Sequence, residues 1–148
     1  MASLATFSIG PGYRNLTDRL DQSGNGGYKR ENELFYATIG GESTYNLGSN
    51  WQVTPKVSYN YLLQGKQHSY LDGVTLNNTQ KHGSGYELSA TFSTKINNQY
   101  GIKITPFWRY WSIHKSDDVY FTYGGNTYVG SEPKNMTQEY GLNLSMVF

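Results

Sequence analysis

Apolar and polar residues alternate with a period of two in several segments of this chain, most clearly at its C-terminal end. Tyr140, Leu142, Leu144, Met146 and Phe148 alternate there with Gly141, Asn143, Ser145 and Val147. Successive side chains of a β-strand point to opposite faces, so this period predicts a strand with one apolar and one mostly small or polar face.

Five further segments show the same alternation. Together with residues 140–148, they are residues 5–14, 35–47, 51–64, 86–96 and 102–111. Segment 51–64 has the longest apolar row, and segment 102–111 carries two cations, Lys103 and Arg109, on its second face. We therefore predict six strands.

The connections between these segments alternate in length. Residues 48–50 and 97–99 are short turns, whereas residues 18–28, 66–82 and 115–135 are long. Short turns therefore lie on one rim of the sheet and long connections on the other. Turn residues such as Gly124 and Gly125 lie between extended arms, so we expect the long connections to be hairpins whose arms extend the neighbouring strands.

Composition agrees with an all-β chain that forms a single domain over residues 1–148. The sequence has 14 Tyr, 17 Gly and no Cys, and it lacks runs of helix-forming residues. A net charge of +1 without a basic cluster argues against nucleic-acid binding. No apolar run approaches the ~18 residues of a transmembrane helix. The first residues lack the basic region and the apolar run of a signal peptide. If the protein is exported, we therefore expect this sequence to be its mature or recombinant form.

The apolar rows can face a core or face lipid. A narrow barrel has little room inside for so many aromatic rings, although a sandwich could hold them. If the rows face lipid, aromatic residues at their ends form belts at the two membrane interfaces, namely Trp51, Tyr86, Trp108 and Tyr110. The polar rows then line a lumen with a charge network made of Arg14, Glu42, Lys56, Glu87, Lys95, Lys103, Arg109 and Glu139. The lipid-facing interpretation accounts for more of the pattern.

The final strand, Tyr140-Gly-Leu-Asn-Leu-Ser-Met-Val-Phe148, resembles the C-terminal strand of Gram-negative outer-membrane β-barrel proteins, which ends in Phe behind alternating apolar residues. The resemblance implies an antiparallel up-and-down transmembrane β-barrel in the bacterial outer membrane. It also implies that the barrel-assembly machinery recognises Tyr140, Leu142, Leu144, Met146 and Phe148, and that lipid surrounds the barrel.

Monomeric barrels of that family usually have at least eight strands, two more than the six predicted here. Three explanations stay open: a hairpin hidden in a long connection, a homo-oligomer in which several chains complete one barrel, or a chain that is the C-terminal part of a larger barrel. An unclosed sheet would leave backbone groups unpaired in lipid, at several kcal/mol each.

The sequence predicts a structural, adhesive or small-pore membrane protein without cofactor, metal or catalytic residues. The first alternative is a soluble or lipid-tethered barrel or sandwich that binds a small ligand or protein. The second is a hydrolase at the outer rim, since His68, His82 and His114 fall near Asp72, Asp117 and Asp118 at the strand ends. No motif places an acid and a base as partners there, so solvated loop residues are the preferred interpretation.

Overall fold

A computed structural model describes residues 5–24, 26–71, 73–97 and 99–148. The fold is all-β and antiparallel, and the described residues include no α-helix and therefore no helix that could cross a membrane. The strands are β1 (Thr6–Arg19), β2 (Lys29–Glu42), β3 (Tyr45–Gly48), β4 (Trp51–Leu71), β5 (Val74–Gln80), β6 (Gly83–Lys95), β7 (Gly101–Ile113), β8 (Val119–Tyr123), β9 (Asn126–Gly130) and β10 (Asn135–Val147).

The prediction of six strands is wrong, because the described residues form ten. Six of them, in the order β1-β2-β4-β6-β7-β10, form the main path of one antiparallel sheet, and each of these six contains most of one predicted segment. Strands β3 and β5 also pair with β4, whereas β8 and β9 form a separate two-stranded sheet. The additional strands lie at a break in one predicted strand and within two long connections.

The predicted strand over residues 35–47 divides into β2 and β3 opposite Pro55. The amide of Ser43 donates a 3.3 Å hydrogen bond to the Pro55 carbonyl. Proline has no amide hydrogen, so Pro55 cannot return the second bond of an antiparallel pair. The ladder is therefore interrupted at this point and resumes where Tyr45 pairs with Val53.

The hairpin predicted around Gly124 and Gly125 is present, but its arms do not extend β7 and β10 as expected. Tyr123 pairs with Asn126, and the two intervening glycines have φ values of 57° and 82°, as a two-residue hairpin turn of type I′ requires. After β7 the backbone instead crosses to β5, where the Asp117 amide donates to the Thr79 carbonyl at 3.0 Å. This hydrogen bond places the segment that leads into the β8–β9 hairpin beside β5.

The closed barrel expected from the sequence is not found. Among the described residues no ladder joins β1 to β10, so both strands have a free edge. The sheet is nevertheless curled, since Arg14 of β1 forms an ion pair with Glu139 of β10. Tyr36 of β2 also meets Trp111 of β7 edge to face at 5.0 Å. The concave face is called the inner face below, and the convex face the outer face.

Near the short turns the outer face is apolar and the inner face polar. Ile9 on β1 is 83 % exposed and Leu144 on β10 is 70 % exposed, both on the outer face. The inner face carries small and polar side chains such as Ser58 and Asn60, which are buried. This half of the sheet has the reverse of a soluble protein's arrangement.

The arrangement is inverted farther from the short turns, beyond Tyr13, Phe35 and Leu63 on β1, β2 and β4 and beyond Tyr86 and Tyr110 on β6 and β7. The outer face of β2 and β4 becomes polar there, with residues such as Glu33, Lys66 and His68. Among the described residues, the buried hydrophobic side chains lie on the inner face at and beyond this border: Leu34, Leu62, Leu76, Trp111 and Ile113. The strands thus continue past an apolar outer belt into a second half that has its own core.

Large inner-face rings lie on glycines of the neighbouring strand. Tyr36 is the register partner of Gly12, Trp111 of Gly85, and Phe107 of Gly141. A Cβ atom at these glycines would come within 2.2, 2.7 and 2.4 Å of the respective ring. Because glycine has no side chain, each ring can rest against its partner's backbone, and the curled sheet can hold bulky rings in a narrow interior.

We predict that Gly85→Ala destabilises the fold by roughly 1–3 kcal/mol, because the new methyl group overlaps the buried Trp111 ring. Gly10→Ala is the matched control on an inner-face strand position, since nothing lies within 4 Å of the place that its methyl group would occupy. The measurement is the free energy of unfolding in urea, followed by tryptophan fluorescence. If both variants lost the same amount of unfolding free energy, the packing of the Trp111 ring on Gly85 would be contradicted.

Candidate functional site

The centre of the inner face holds a cluster of charged side chains. Glu87, Arg109 and Glu139 are register partners on the adjacent strands β6, β7 and β10. The Arg109 guanidinium donates to Glu87 at 2.8 Å and to Glu139 at 3.2 Å. Arg14, from β1 on the other side of the interior, forms an ion pair with Glu139. We call these four residues the charge cluster.

The charge cluster is partly shielded from solvent. The Arg14 side chain is 11 % exposed, and the other three are between 26 % and 31 % exposed. Arg14 Nη2 lies against the Glu139 carboxylate without hydrogen-bond alignment, and we count it as paired because the two groups are in contact. Two cations and two carboxylates therefore balance in formal charge across the interior.

The other four charged residues predicted to line a lumen lie nearer the short-turn rim. Glu42 and Lys56 are register partners across β2 and β4. Lys95 and Lys103 line an open cavity of about 860 Å³ at this rim. None of these four takes part in an ion pair among the described residues. The structure thus brings together half of the predicted charge network and leaves the other half separate.

A hydrophobic layer covers the charge cluster on the side away from the short turns. It consists of Leu34, Leu62, Trp111 and Ile113 with Tyr36 packed against them. Arg14 connects this layer to the charge cluster, since its guanidinium carbon lies 5.7 Å from the centre of the Trp111 ring. These buried side chains pack against one another on the inner face.

A buried polar network lies above the hydrophobic layer. The Asn32 amide donates to Gln67 at 2.6 Å and to Gln80 at 3.2 Å. Gln80 in turn donates to the His114 carbonyl at 3.4 Å. Gln67 and Gln80 lie in what the sequence indicates as a long connection, so period-two reasoning missed them. The signal that could have found them is the alternation of Leu76, Asn78 and Gln80 within that connection.

Further hydrogen bonds hold residues 116–132 against β5 and the end of β4. The Asn78 amide, 2 % exposed, donates to the carbonyls of Asp117 at 3.1 Å and Gly130 at 3.3 Å. The Asp117 carboxylate accepts the Thr79 amide at 2.6 Å. Ser69 donates to Glu132 at 3.0 Å. These contacts fix the base of the β8–β9 hairpin.

A cavity of about 440 Å³ opens beside the polar network. Residues of both free edges line it, including Leu16 and Asp18 of β1 and Met136 and Thr137 of β10. Trp111 Nε1 and Asn32 Oδ1 are buried without a hydrogen-bond partner among the described residues, and both side chains line this cavity. The unpaired polar atoms thus lie where the two edges of the sheet approach each other.

The residues considered for a rim hydrolase have other contacts. His82 and His114 lie with ring centres 6.2 Å apart, and His68 Nδ1 pairs with Asn77 at 2.6 Å. Asp118 pairs with Lys115, while Asp72 lies outside the described residues. Within the part of the chain that the structure describes, no three His, Asp or Glu side chains group as metal ligands.

The outer face beyond the apolar belt carries exposed ion pairs. Lys29 pairs with Glu31, which also accepts a 2.9 Å hydrogen bond from the Tyr70 hydroxyl. The Lys29 ammonium, followed by the Tyr70 hydroxyl, lowers the pKa of the Glu31 carboxyl. The same hydrogen bond to Glu31 raises the pKa of Tyr70. The Lys29 and Glu31 side chains are 34 % and 27 % exposed, and Tyr70 is 38 % exposed.

The predicted interface aromatics and the residues of the C-terminal signature lie on the outer face. Trp51 lies at the short-turn rim, and Tyr86 and Tyr110 are register partners in one row, with Trp108 stacked on Tyr110 at 6.2 Å. The outer-face residues of β10 are strongly exposed, namely Tyr140, Leu142, Leu144 and Met146, as is Phe148 just beyond the strand. No contact among the described residues covers this row.

No family model matches the sequence, and no curated protein matches it. Interpretation of the site therefore rests on its geometry.

We predict that Arg109→Gln destabilises the protein by roughly 1–3 kcal/mol, because Glu87 and Glu139 both lose a cation in a partly shielded interior. Lys103→Gln is the matched control on the same face of β7 and should cost less than about 0.5 kcal/mol. Urea unfolding of both variants measures the difference. A similar cost for the two substitutions would show that the ion pairs contribute nothing specific.

We predict that Asn78→Ala loosens the β8–β9 hairpin, because two backbone carbonyls lose their buried donor. The expected loss of stability is roughly 1–3 kcal/mol. Asn77→Ala is the control, since Asn77 is the exposed neighbour on the opposite face of β5. Hydrogen exchange of Val119–Tyr123 and Asn126–Gly130 should accelerate only in the first variant. Unchanged exchange in Asn78→Ala would mean that other contacts hold the hairpin.

Proposed function

We propose that this chain is an integral protein of the bacterial outer membrane in which the curled sheet forms the wall of a β-barrel. The observation that carries this proposal is the inversion of sidedness along the strands. Exposed apolar side chains cover the outer face near the short turns, and polar side chains replace them beyond Phe35 on β2 and Leu63 on β4. A bilayer around the half nearest the short turns would account for the apolar part of the outer face, and water around the other half would account for the polar part.

The dimensions of the apolar belt support this proposal. On β4 the exposed apolar row runs from Trp51 at the short-turn rim to Tyr61 and Leu63 at the other border. Twelve residues of strand span roughly 40 Å, or about 30 Å of height at the usual tilt of transmembrane strands. Lipid-facing bands of such barrels are about 25 Å tall. Rings at both borders suit the two interfacial regions.

The filled interior favours a structural or adhesive role over that of a pore. The charge cluster, the hydrophobic layer and the polar network follow one another along the inner face. Small barrels fill their interiors with side chains in this way. The exposed tyrosines of the β8–β9 hairpin, including Tyr120 at 75 % exposure, would then be displayed on the far side of the membrane as a surface for adhesion.

The C-terminal strand supports the outer membrane as the location. Its signature residues lie in one exposed row, so they are accessible to the barrel-assembly machinery, which we propose as the partner during insertion. A soluble ligand-binding sandwich would instead need these rows in a core, whereas the five hydrophobic side chains that are buried among the described residues lie outside these rows, on the inner face. The outward exposure therefore favours the membrane protein.

We predict that bromine on lipid acyl chains quenches Trp108 on the outer face and not Trp111 on the inner face. The Trp51→Phe variant retains both tryptophans, and Trp51→Phe with Trp108→Phe retains only Trp111 as the matched control. In vesicles the first variant should lose a clear share of its fluorescence to brominated lipid, and the second should lose little. The buried position of Trp111, 2 % exposed, is the reason.

Two outcomes would contradict the proposal. A monodisperse protein in plain buffer, with no quenching of Trp108 by lipid, would favour the soluble sandwich. A steady ionic conductance of the inserted protein across a planar bilayer would contradict the filled interior and favour the small pore.

A further inference from the structure

The two free edges of the main sheet face each other along a gap, which we call the seam. Ile9 of β1 is 83 % exposed, whereas its register partner Ile39 on β2, of the same residue type, is 55 % exposed. The difference indicates that β1 has a neighbour on one side only. β1 has 14 residues and β10 has 13, and each strand has one unpaired edge. Such an edge could not stay unpaired in the hydrocarbon of a membrane.

Strand direction limits what can fill the seam. β1 runs from the short-turn rim outward and β10 runs back to it, so the two strands are antiparallel to each other. A sheet that stays antiparallel throughout can therefore close directly or with an even number of added strands. Direct closure would place β1 and β10 about 4.8 Å apart with a shared ladder, and no such ladder exists among the described residues.

The curvature of the sheet favours two added strands. β2 and β7 lie three positions apart along the sheet, and their inner side chains Tyr36 and Trp111 touch. With two strands in the seam, β1 and β10 would also lie three positions apart through the seam. Their inner side chains Arg14 and Glu139 touch as well. Eight strands thus give the two pairs the same separation.

A second copy of the chain fits this curvature poorly. Two copies would form one barrel of twelve main strands, in which β1 and β10 of each copy lie five positions apart in a wider interior. Arg14 and Glu139 could not remain in contact across that width. The ion pair within one chain therefore favours a narrow barrel.

We propose that the seam between β1 and β10 takes one amphipathic β-hairpin from outside residues 5–148, and that this hairpin completes an eight-stranded barrel. The inference rests on the proposed membrane function. The hairpin would carry apolar residues toward lipid, continuing the outer row of Ile9 and Leu144. Hydroxyl or amide residues would point inward, where Trp111 Nε1 and Asn32 Oδ1 have no hydrogen-bond partner among the described residues beside the cavity at the seam.

The first experiment measures the width of the seam with engineered cysteines in the chain, which has none of its own. Ile9→Cys is combined in turn with Leu142→Cys, Leu144→Cys and Met146→Cys. Ile9→Cys with Ile39→Cys is the matched control, because these residues are register partners on paired strands. Disulfides need Cα atoms within about 7 Å, so we expect a disulfide in the control and none across the seam.

The second experiment supplies a hairpin by fusing it to the N-terminal end of the chain. It has two strands of about ten residues with alternating apolar and Ser, Thr or Asn positions, joined by Asn-Gly. A control fusion has the alternation shifted by one residue, so that apolar side chains point inward. In micelles, amide exchange in β1 and β10 should slow about tenfold or more with the first hairpin only, while β4 stays unchanged.

Each contrary outcome would overturn a specific part of the proposal for the seam. A disulfide across the seam within a monomer would mean direct closure by six strands, and one found only between chains would mean that a second copy fills the seam. Equal exchange with both hairpins would exclude an amphipathic hairpin as the occupant. Lipid quenching of Trp108 separates these failures from failure of the proposed function, since it does not depend on what closes the seam.

Discussion

The packing of large inner-face rings on glycines is the contact on which the rest of this structure depends. Tyr36, Trp111 and Phe107 each lie against a glycine on the adjacent strand, where any Cβ atom would overlap the ring. The rings therefore fill the interior without forcing the strands apart, and the sheet can curl tightly. This curl brings β1 within reach of β10, so that Arg14 meets Glu139, and it places Trp111 against Tyr36.

The charge cluster is a consequence of that curl and of the apolar outer belt. If lipid surrounds the belt, the inner face has to hold the polar side chains, and charges in a narrow interior need partners. Arg109 between Glu87 and Glu139, with Arg14 opposite, meets this need through the register of β6, β7 and β10. The cluster and the hydrophobic layer above it both occupy the inner face, and this packing is what favours the proposed structural role over a pore.

The half of the molecule beyond the apolar belt has a different arrangement of polar and apolar side chains. There the outer face is polar, and buried amides tie separate segments together: Asn32 to Gln67 and Gln80, and Asn78 to the chain around Asp117 and Gly130. Each amide can donate to two backbone or side-chain oxygens, so a few residues hold a long connection in place. The β8–β9 hairpin is thereby positioned by hydrogen bonds at its base, while its tyrosines remain exposed.

The sequence by itself determined the strand class, the six main segments and which face of each is apolar, because a period of two reports side-chain direction without reference to neighbours. It also indicated the hairpin at Gly124 and Gly125 through local turn chemistry. Only the tertiary structure decided the ten-strand count, the break opposite Pro55, the course of residues 114–118 and the free edges of β1 and β10. These depend on which strands pair and how far the sheet curls, and such long-range contacts leave no periodic mark on the chain.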